Sequence, residues 1–348
     1  MEIKKELFGQ TNDGKDVFLY TLQNQNGVEV KVSEFGGIIT SVIVPDKDGN
    51  KADVVLGYDT VEPYFTNNEF FGATIGRSSN RIANASFDID GKIITVPANE
   101  GVNNLHSDSE NGFHKKLWVA APDEGRNCVT LSYTSPDGEN GFPGNLDMKV
   151  TFGLSEDNEL SIHYEGISDK KTVINCTNHT YFNLAGHDSG NIEGQYLKIL
   201  ASKYNTVKAD SIPTGECADV EGTPFDFREF HTIGERIGED AEQLHLTGGY
   251  DHNYAVEPEN GLIAVAEDRN SGRRMEVYSA LPGVQFYAGN FIRDGLKGKD
   301  GAVYGKRSGF CLETQFFPNC VNEPDFEGAF FSAGNKYDYT TVYKFTTI

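Results

Sequence analysis

Four separated polar segments hold the groups that could do chemistry: Asn103-Asn104-Leu105-His106, Asn178-His179-Thr180-Tyr181-Phe182-Asn183, Tyr250-Asp251-His252-Asn253 and Glu313-Thr314-Gln315. They supply imidazoles, carboxylates and amides in sequence that otherwise reads as strand and tight turn. Residues spread over more than 200 positions cannot form a local metal loop. They act together only if a fold gathers them into one cleft. Such a cleft would offer proton donors, proton acceptors and amides, a set suited to a polyhydroxylated, uncharged substrate.

Each residue has a bland reading beside the chemical one. Glu313 sits in Phe310-Cys311-Leu312-Glu313-Thr314-Gln315-Phe316-Phe317, where desolvation would raise its pKa into the range of a general base. The same alternation fits an exposed glutamate on the polar face of a strand. His179, with an ordinary pKa near ~6.5, can give or take a proton at neutral pH, yet a lone histidine in a strand is commonly a satisfied structural residue. Asp251-His252 and Asn104-Leu105-His106 carry the same ambiguity. Arg77 and Arg81 present planar donor forks that suit neighbouring sugar hydroxyls or a carboxylate, or else they form surface ion pairs. Gln285, beside Phe286 and Tyr287, offers an amide that both donates and accepts to hydroxyls.

The elements that must position these groups read mostly as strands. Met148, Val150, Phe152 and Leu154 alternate with polar residues, as do Leu160, Ile162 and Tyr164, and Tyr337 to Phe345 alternate near the C-terminus. Period-two alternation marks strands with one buried face. Asp90-Gly91 and Asn260-Gly261 have the chemistry of hairpin turns. Helices are expected only over 233–246 and, for a turn or two, 62–71. Glycine is abundant at 38, with 23 Phe and 16 Tyr, which favours an antiparallel sandwich over a βαβ fold. Without a Pro/Gly/Ser-rich linker or a convincing repeat, residues 1–348 read as one domain.

A net charge of −22 argues against a nucleic-acid binder, which needs clustered Lys and Arg, and disfavours anionic membrane surfaces. No apolar run approaches the ~18 residues a span requires, and no secretory signal is evident. Five cysteines without a Cys-x-x-Cys pair suit free thiols in a reducing cytoplasm.

Taken in order along the chain, several segments resemble the aldose 1-epimerase (galactose mutarotase) family. They are Phe71-Gly72-Ala73-Thr74-Ile75-Gly76-Arg77 with Asn80-Arg81-Ile82, Asn104-Leu105-His106, Gly112-Phe113 with Trp118, and Asn178 to Leu184. Tyr250-Asp251-His252-Asn253, Pro282 to Tyr287 with Asn290, and Glu313-Thr314-Gln315 with Pro318 complete the set. The resemblance implies an all-β, mainly antiparallel supersandwich with few short helices, acting on a free aldohexose in the cytoplasm without a cofactor or metal. It also implies that Glu313 is the general base, His179 the general acid, and His106 an assistant at the reacting end of the sugar. Asn80, Arg81, Asp251 and Gln285 would hold the substrate.

Two departures stand near His106. Ser107-Asp108 replaces the glycines common in the family, so the loop is expected to forgo positive φ and take a different shape. His114 stands where the family usually has aspartate. Three rival readings remain. A hexose 6-phosphate epimerase would need an Arg/Lys set, for which only Arg77 and Arg81 are candidates. A glycoside hydrolase or lyase would pair Asp251 with Glu313. A non-catalytic sugar-binding protein would need no matched acid and base. A metal held by His106, His179 and Asp251 is possible in residue type, but nothing in the spacing asks for one.

Overall fold

The computed structural model describes residues 2–348. Its main ladder is a nine-stranded antiparallel sheet. In spatial order the strands are Val119–Asp123, Cys128–Ser135, Leu146–Leu154, Glu159–Ser168, Lys336–Thr347, Arg273–Ser279, Leu262–Asp268, Tyr196–Ile199 and His231–Thr232. The alternating segments behave as their pattern dictates: Leu146–Leu154 buries every second side chain, and Glu159–Ser168 pairs with it residue for residue. The C-terminal strand lies mid-sheet between Glu159–Ser168 and Arg273–Ser279, so the two ends of the ladder are joined by the last residues of the chain.

A second, five-stranded antiparallel sheet runs Pro213–Asp219, Lys203–Val207, Asp251–Ala255, Gly283–Tyr287, Cys311–Gln315. It stacks on the first. Tyr343 donates its hydroxyl to the Leu312 carbonyl at 2.9 Å, Thr341 and Thr314 share a hydroxyl–hydroxyl bond, and the Phe182 and Tyr343 rings meet at 5.0 Å. A five-stranded N-terminal sheet, from Lys4–Gln10 to Lys51–Asp53, joins the same apolar core through Val30, Val32 and Val42. Side chains from the inner faces of the two sheets interdigitate to form the core between them.

Turn chemistry follows the expected residues. Asp90 and Gly91 have φ of 53° and 84° between paired strands, and Asn260 and Gly261 have 51° and 86°. The helices fall short of expectation. Among the described residues α-helix forms only over Glu62–Thr66 and Glu242–Thr247. The stretch from Ile233 instead runs as turns, Glu235 N–H bonding Thr232 O and Glu239 N–H bonding Arg236 O, before the helix at Glu242. Gly234 and Gly238 lower helix propensity there as well.

Candidate active site

Three adjacent strands build the floor of the site. In register, Asp251 faces Tyr287, which faces Cys311. Asn253 faces Gln285, which faces Glu313. Directly opposed residues share a sheet face, and every second residue returns to it. One face therefore carries Asp251, Asn253, Gln285, Tyr287, Cys311, Glu313 and Gln315. The other carries His252, Tyr254, Val284, Phe286, Leu312 and Thr314 towards the core. Glu313 does stand on the polar face of its strand, but that face is covered: the side chain is 2% exposed. Gly283 is required in this face, because a Cβ there would lie 2.5 Å from Asn253 Oδ1.

Amide bonds hold the floor rigid. Gln285 donates to Asp251 Oδ1 at 2.7 Å, and Gln315 donates to Asn253 Oδ1 at 3.1 Å and Gln285 Oε1 at 3.4 Å. Asn253 in turn donates to Asn205 Oδ1 at 2.7 Å. Chained amides of this kind fix which end of each group faces the cavity.

His179 arrives from the short strand Thr177–His179, which pairs with Ala73–Ile75. The following residues lie beside the Glu313 strand through reciprocal Phe182–Phe310 backbone bonds of 2.7 and 2.9 Å. This brings His179 Nε2 to 3.7 Å from Glu313 Oε1. His106 is set by the pairing of Asn104–Leu105 with Arg81–Ile82. Its backbone N–H donates to Asn80 O at 3.0 Å, and Asn80 N–H donates to its Nδ1 at 3.1 Å. The His106 and His179 rings meet edge to face at 5.3 Å.

All seven sequence-predicted residues, Asn80, Arg81, His106, His179, Asp251, Gln285 and Glu313, line one cavity of about 780 Å³. Arg81 forks onto Glu100 at 2.6 and 2.8 Å, and its Nη1 has no hydrogen-bond partner among the described residues. Arg77 does not join the cavity. It is 2% exposed, and its guanidinium bonds Ser135 Oγ and the carbonyls of Ser135, Pro136, Pro143 and Gly144. It ties loops together. Of the motif amides, Asn104 clamps the Pro97 and Ser107 carbonyls and Asn178 the Gly72 carbonyl, so both are scaffold. His252 lies on the core face against Phe225 and Tyr204.

The loop after His106 corrects the sequence expectation. His106 and Ser107 both have positive φ, 53° and 68°. Ser107 keeps the conformation a glycine would take because its hydroxyl accepts from Ser78 N–H at 2.8 Å and donates to Ser78 O at 3.0 Å. Those bonds offset the left-handed strain. His114 is buried, with Nε2 3.2 Å from Ser109 O, and its ring meets Phe70 at 4.9 Å.

Phe70 is a cavity residue that sequence reasoning missed. Its ring contacts His106 at 4.9 Å and His179 at 5.7 Å, and its φ is 58°. No sequence pattern signals a phenylalanine in that conformation. Glu100, the partner of Arg81, was also missed; an acid within reach of a motif arginine is too common to stand out.

Electrostatics separate the titrating groups. Burial pushes Glu313 well above the usual carboxylate range, the Asp251 carboxylate adds to this, and the Arg81 cation opposes it. Burial pushes His179 down to about 4, so it is neutral at neutral pH, not poised near its solution value. Burial likewise drives His106 well below its ordinary value, with the His179, Arg81 and His114 charges adding to the effect.

Ligand atoms of His106, His179 and Glu313 lie within 4.8 Å of one another, so the close trio contains Glu313 rather than Asp251. The trio suits a metal poorly. His106 Nδ1 accepts the Asn80 N–H, which leaves the proton on Nε2, whereas a ligating imidazole must offer a lone pair there.

The aldose 1-epimerase family profile matches residues 19–344. The chain belongs to the aldose 1-epimerase family. It is similar to the galactose mutarotase of Homo sapiens, 42% identical over 99% of this chain and 98% of that one. It is also similar to the aldose 1-epimerase of Escherichia coli K12, 35% identical over 96% of each. A solved galactose 1-epimerase from Lactobacillus acidophilus superposes with a TM-score of 0.87 at 28% identity, covering 100% of this chain and 99% of that one. This aldose 1-epimerase family member is therefore an isomerase acting on sugar anomers, and its β-supersandwich is the family's fold. No helix among the described residues is long and apolar enough to cross a membrane.

Proposed function

We propose that the protein interconverts the α and β anomers of free hexoses, D-galactose and D-glucose, with Glu313 as general base and His179 as general acid. The observation that carries the roles is the 3.7 Å approach of His179 Nε2 to Glu313 Oε1 on the floor of the cavity, both side chains buried. Glu313 takes the proton of the C1 hydroxyl while His179 delivers one to the ring oxygen. The C1–O5 bond breaks and C1 becomes a carbonyl. Rotation about C1–C2 turns its other face to O5, and the reverse transfers close the ring as the opposite anomer. Each positioned transfer contributes ~10²–10⁴-fold.

The protonation states fit this cycle. With Glu313 raised and His179 lowered, the empty site holds one proton across the pair, resting on the carboxyl. The reactive carboxylate–imidazolium form has the same proton count, so it needs only a shift within the pair and no exchange with solvent. A raised base and a lowered acid also favour both transfers, because each group gives or takes its proton more readily than in water. His106, neutral with its proton on Nε2, donates to the oxygen that gains charge at C1. Asn80, Arg81 Nη1, Asp251 and the oriented Gln285 amide hold the remaining hydroxyls.

The charge balance supports a neutral sugar over a phosphorylated one. The cavity wall carries the acids Glu69, Glu100, Asp210, Asp251 and Glu313 against Arg81 and Arg293, and both arginines are already paired, with Glu100 and Glu69. The reading of residues 1–348 as one catalytic domain draws support from a nine-stranded sheet that recruits strands from Val119 to Thr347. A cytoplasmic setting draws support from five free thiols. Polarimetry of freshly dissolved α-D-galactose and α-D-glucose tests the activity: rotation relaxes faster with the protein than without it. Relaxation at the blank rate for both sugars would refute it.

A further inference from the structure

Among the described residues, the cavity wall has one well-buried cation, Arg81, whose side chain is 11% exposed; Arg293, the other, is 64% exposed. Three carboxylates act on Arg81: Glu100, Asp251 and Glu313. Only Glu100 takes side-chain hydrogen bonds from it, Nε donating to Oε2 at 2.6 Å and Nη2 to Oε1 at 2.8 Å. Asp251 receives the Gln285 amide instead, and Glu313 Oε2 has no partner among the described residues. Glu100 is itself held firmly. It begins a turn closed by reciprocal backbone bonds with Asn103 of 3.1 and 3.0 Å. The Asn103 side chain accepts Asn84 N–H at 2.9 Å and donates to Asp210 at 3.0 Å. Of three acids around one guanidinium, the one anchored outside the sheet has captured it.

We propose that Glu100 is a positioning residue of the epimerase: its carboxylate grips the Arg81 guanidinium as a fork, keeps that cation off Glu313 and leaves Nη1 for a sugar hydroxyl. The inference rests on the assignment of Glu313 as the base and adds the group that protects its basicity. Without Glu100, Arg81 would be a nearly buried cation lacking a partner, a costly state that a new ion pair relieves. The acids left to pair with it are Asp251 and Glu313. An ion pair on Glu313 favours the carboxylate and lowers its pKa by about 1–3 pH units. The resting pair then loses the proton it shares, and the fork occupies the donor meant for the sugar. No other group near Glu313 can do this. Cys311 from its own strand, Tyr287 from the next, Tyr181 from the segment across and Tyr164 and Tyr343 from the sheet beneath are kept protonated and neutral by burial. Burial keeps His179 and His106 neutral as well, and Asp251 raises the Glu313 pKa, so Arg81 alone opposes that rise.

Glu100→Gln keeps the shape and removes the charge; Glu100→Asp keeps the charge and shortens the reach. Carboxyl ¹³C shifts of the glutamates, with Glu313 assigned by its absence from Glu313→Gln, follow the titration directly. In Glu100→Gln the Glu313 midpoint should fall by at least about one pH unit. The alkaline limb of kcat/KM, which reports the free enzyme, should fall with it, and KM should rise about fivefold, the loss of one hydrogen bond. In Glu100→Asp the midpoint and the limb should stay at their parental values while KM rises. A purely structural ion pair would lower Tm and move neither midpoint nor limb, and that result in folded Glu100→Gln would overturn the proposal. A fallen midpoint with an unmoved limb would instead remove Glu313 as the base and leave the placement of Arg81 standing. If Glu100→Gln does not fold, a crystal structure of the parent with D-galactose decides. A fork kept on Glu100 with Nη1 on a sugar hydroxyl supports the role; a guanidinium moved onto Glu313 overturns it.

Discussion

Replacing Glu313 by glutamine separates the cost of the buried carboxyl from its use. The two side chains have nearly the same shape, so the cavity and the Gln285 and Arg81 contacts around it persist. Loss of the base should lower kcat ~10²–10⁴-fold, or about 2.7–5.5 kcal/mol of barrier. Stability should move the other way. Glu313 Oε2 has no hydrogen-bond partner among the described residues, and its pKa is raised by burial and by Asp251. A carboxyl whose folded pKa exceeds its unfolded one is neutral in both states at low pH. Above the unfolded value it ionises freely only in the unfolded chain, so the native state loses stability as pH rises towards the folded value. The loss is about 1.4 kcal/mol for each tenfold difference between the folded and unfolded acid dissociation constants. Glutamine removes that loss. The Tm of Glu313→Gln minus that of the parent should therefore be larger at pH 8 than at pH 4. Polarimetry gives the rate, calorimetry the Tm at each pH, and isothermal titration the sugar affinity, which should remain measurable. A variant within tenfold of parent kcat would remove Glu313 as base; a Tm difference that is flat with pH would refute its raised pKa.

Four further outcomes follow from the site. The acid limb of kcat/KM should lie near pH 4, where the pair gains its second proton and His179 titrates; a limb near the ordinary histidine value would contradict the one-proton reading. Dialysis against a chelator should leave polarimetric activity unchanged, because His106 offers a proton at Nε2; loss restored by one divalent cation would show a metal at the trio. Ser107→Ala should lower unfolding free energy by about 2 kcal/mol, two hydrogen bonds at ~1 kcal/mol each, and Ser107→Gly by less, because glycine relieves the positive φ; urea melts measure both, and equal losses would refute the strain argument. Arg81→Lys should raise KM at least about tenfold, since a lysine cannot keep the fork on Glu100 while reaching the sugar; an unchanged KM would place Arg81 outside the substrate's reach.

Strand content was readable because alternation records which face is buried. Leu146–Leu154, Glu159–Ser168 and Lys336–Thr347 follow their patterns closely. Alternation could not say what covers the polar face of Cys311–Gln315, and so left Glu313 undecided between solvent and cleft. What covers that face comes from far earlier in the chain: Phe70, Arg81, His106 and His179 stand over Glu313 in the cavity. The helix expected from Ile233 shortens to Glu242–Thr247: its apolar spacing is real, but Gly234 and Gly238 weaken its first turns, which close as i to i−3 turns instead. At Ser107 the residue type misled. Glycine is the usual answer to positive φ, yet a hydroxyl that bonds both backbone groups of Ser78 supplies another, and no local pattern announces a partner 29 residues away.

The division of labour within the site follows from which segment supplies each group. Glu313, proposed as the base, and Asp251 and Gln285, proposed to hold the sugar, share three strands of one sheet, whose register fixes their spacing to the width of the ladder. His179 and His106, the proposed acid and its assistant, come from separate short strands, anchored by Asn178 to Gly72 O and by Asn80 to His106. Proton transfer to the ring oxygen depends on an angle as much as on a distance, and a short strand sets an angle less firmly than a five-stranded ladder does. The aromatic rings of Phe70, Tyr181 and Tyr287, packed around the His179 ring, provide the missing constraint. Substitutions on the sheet should therefore alter affinity and base strength, while substitutions around His179 should alter kcat with affinity preserved. Kinetic constants for Gln285→Ala and Phe70→Leu test that separation: KM should rise in the first, kcat should fall in the second, and a matching change in both constants for either variant would contradict it.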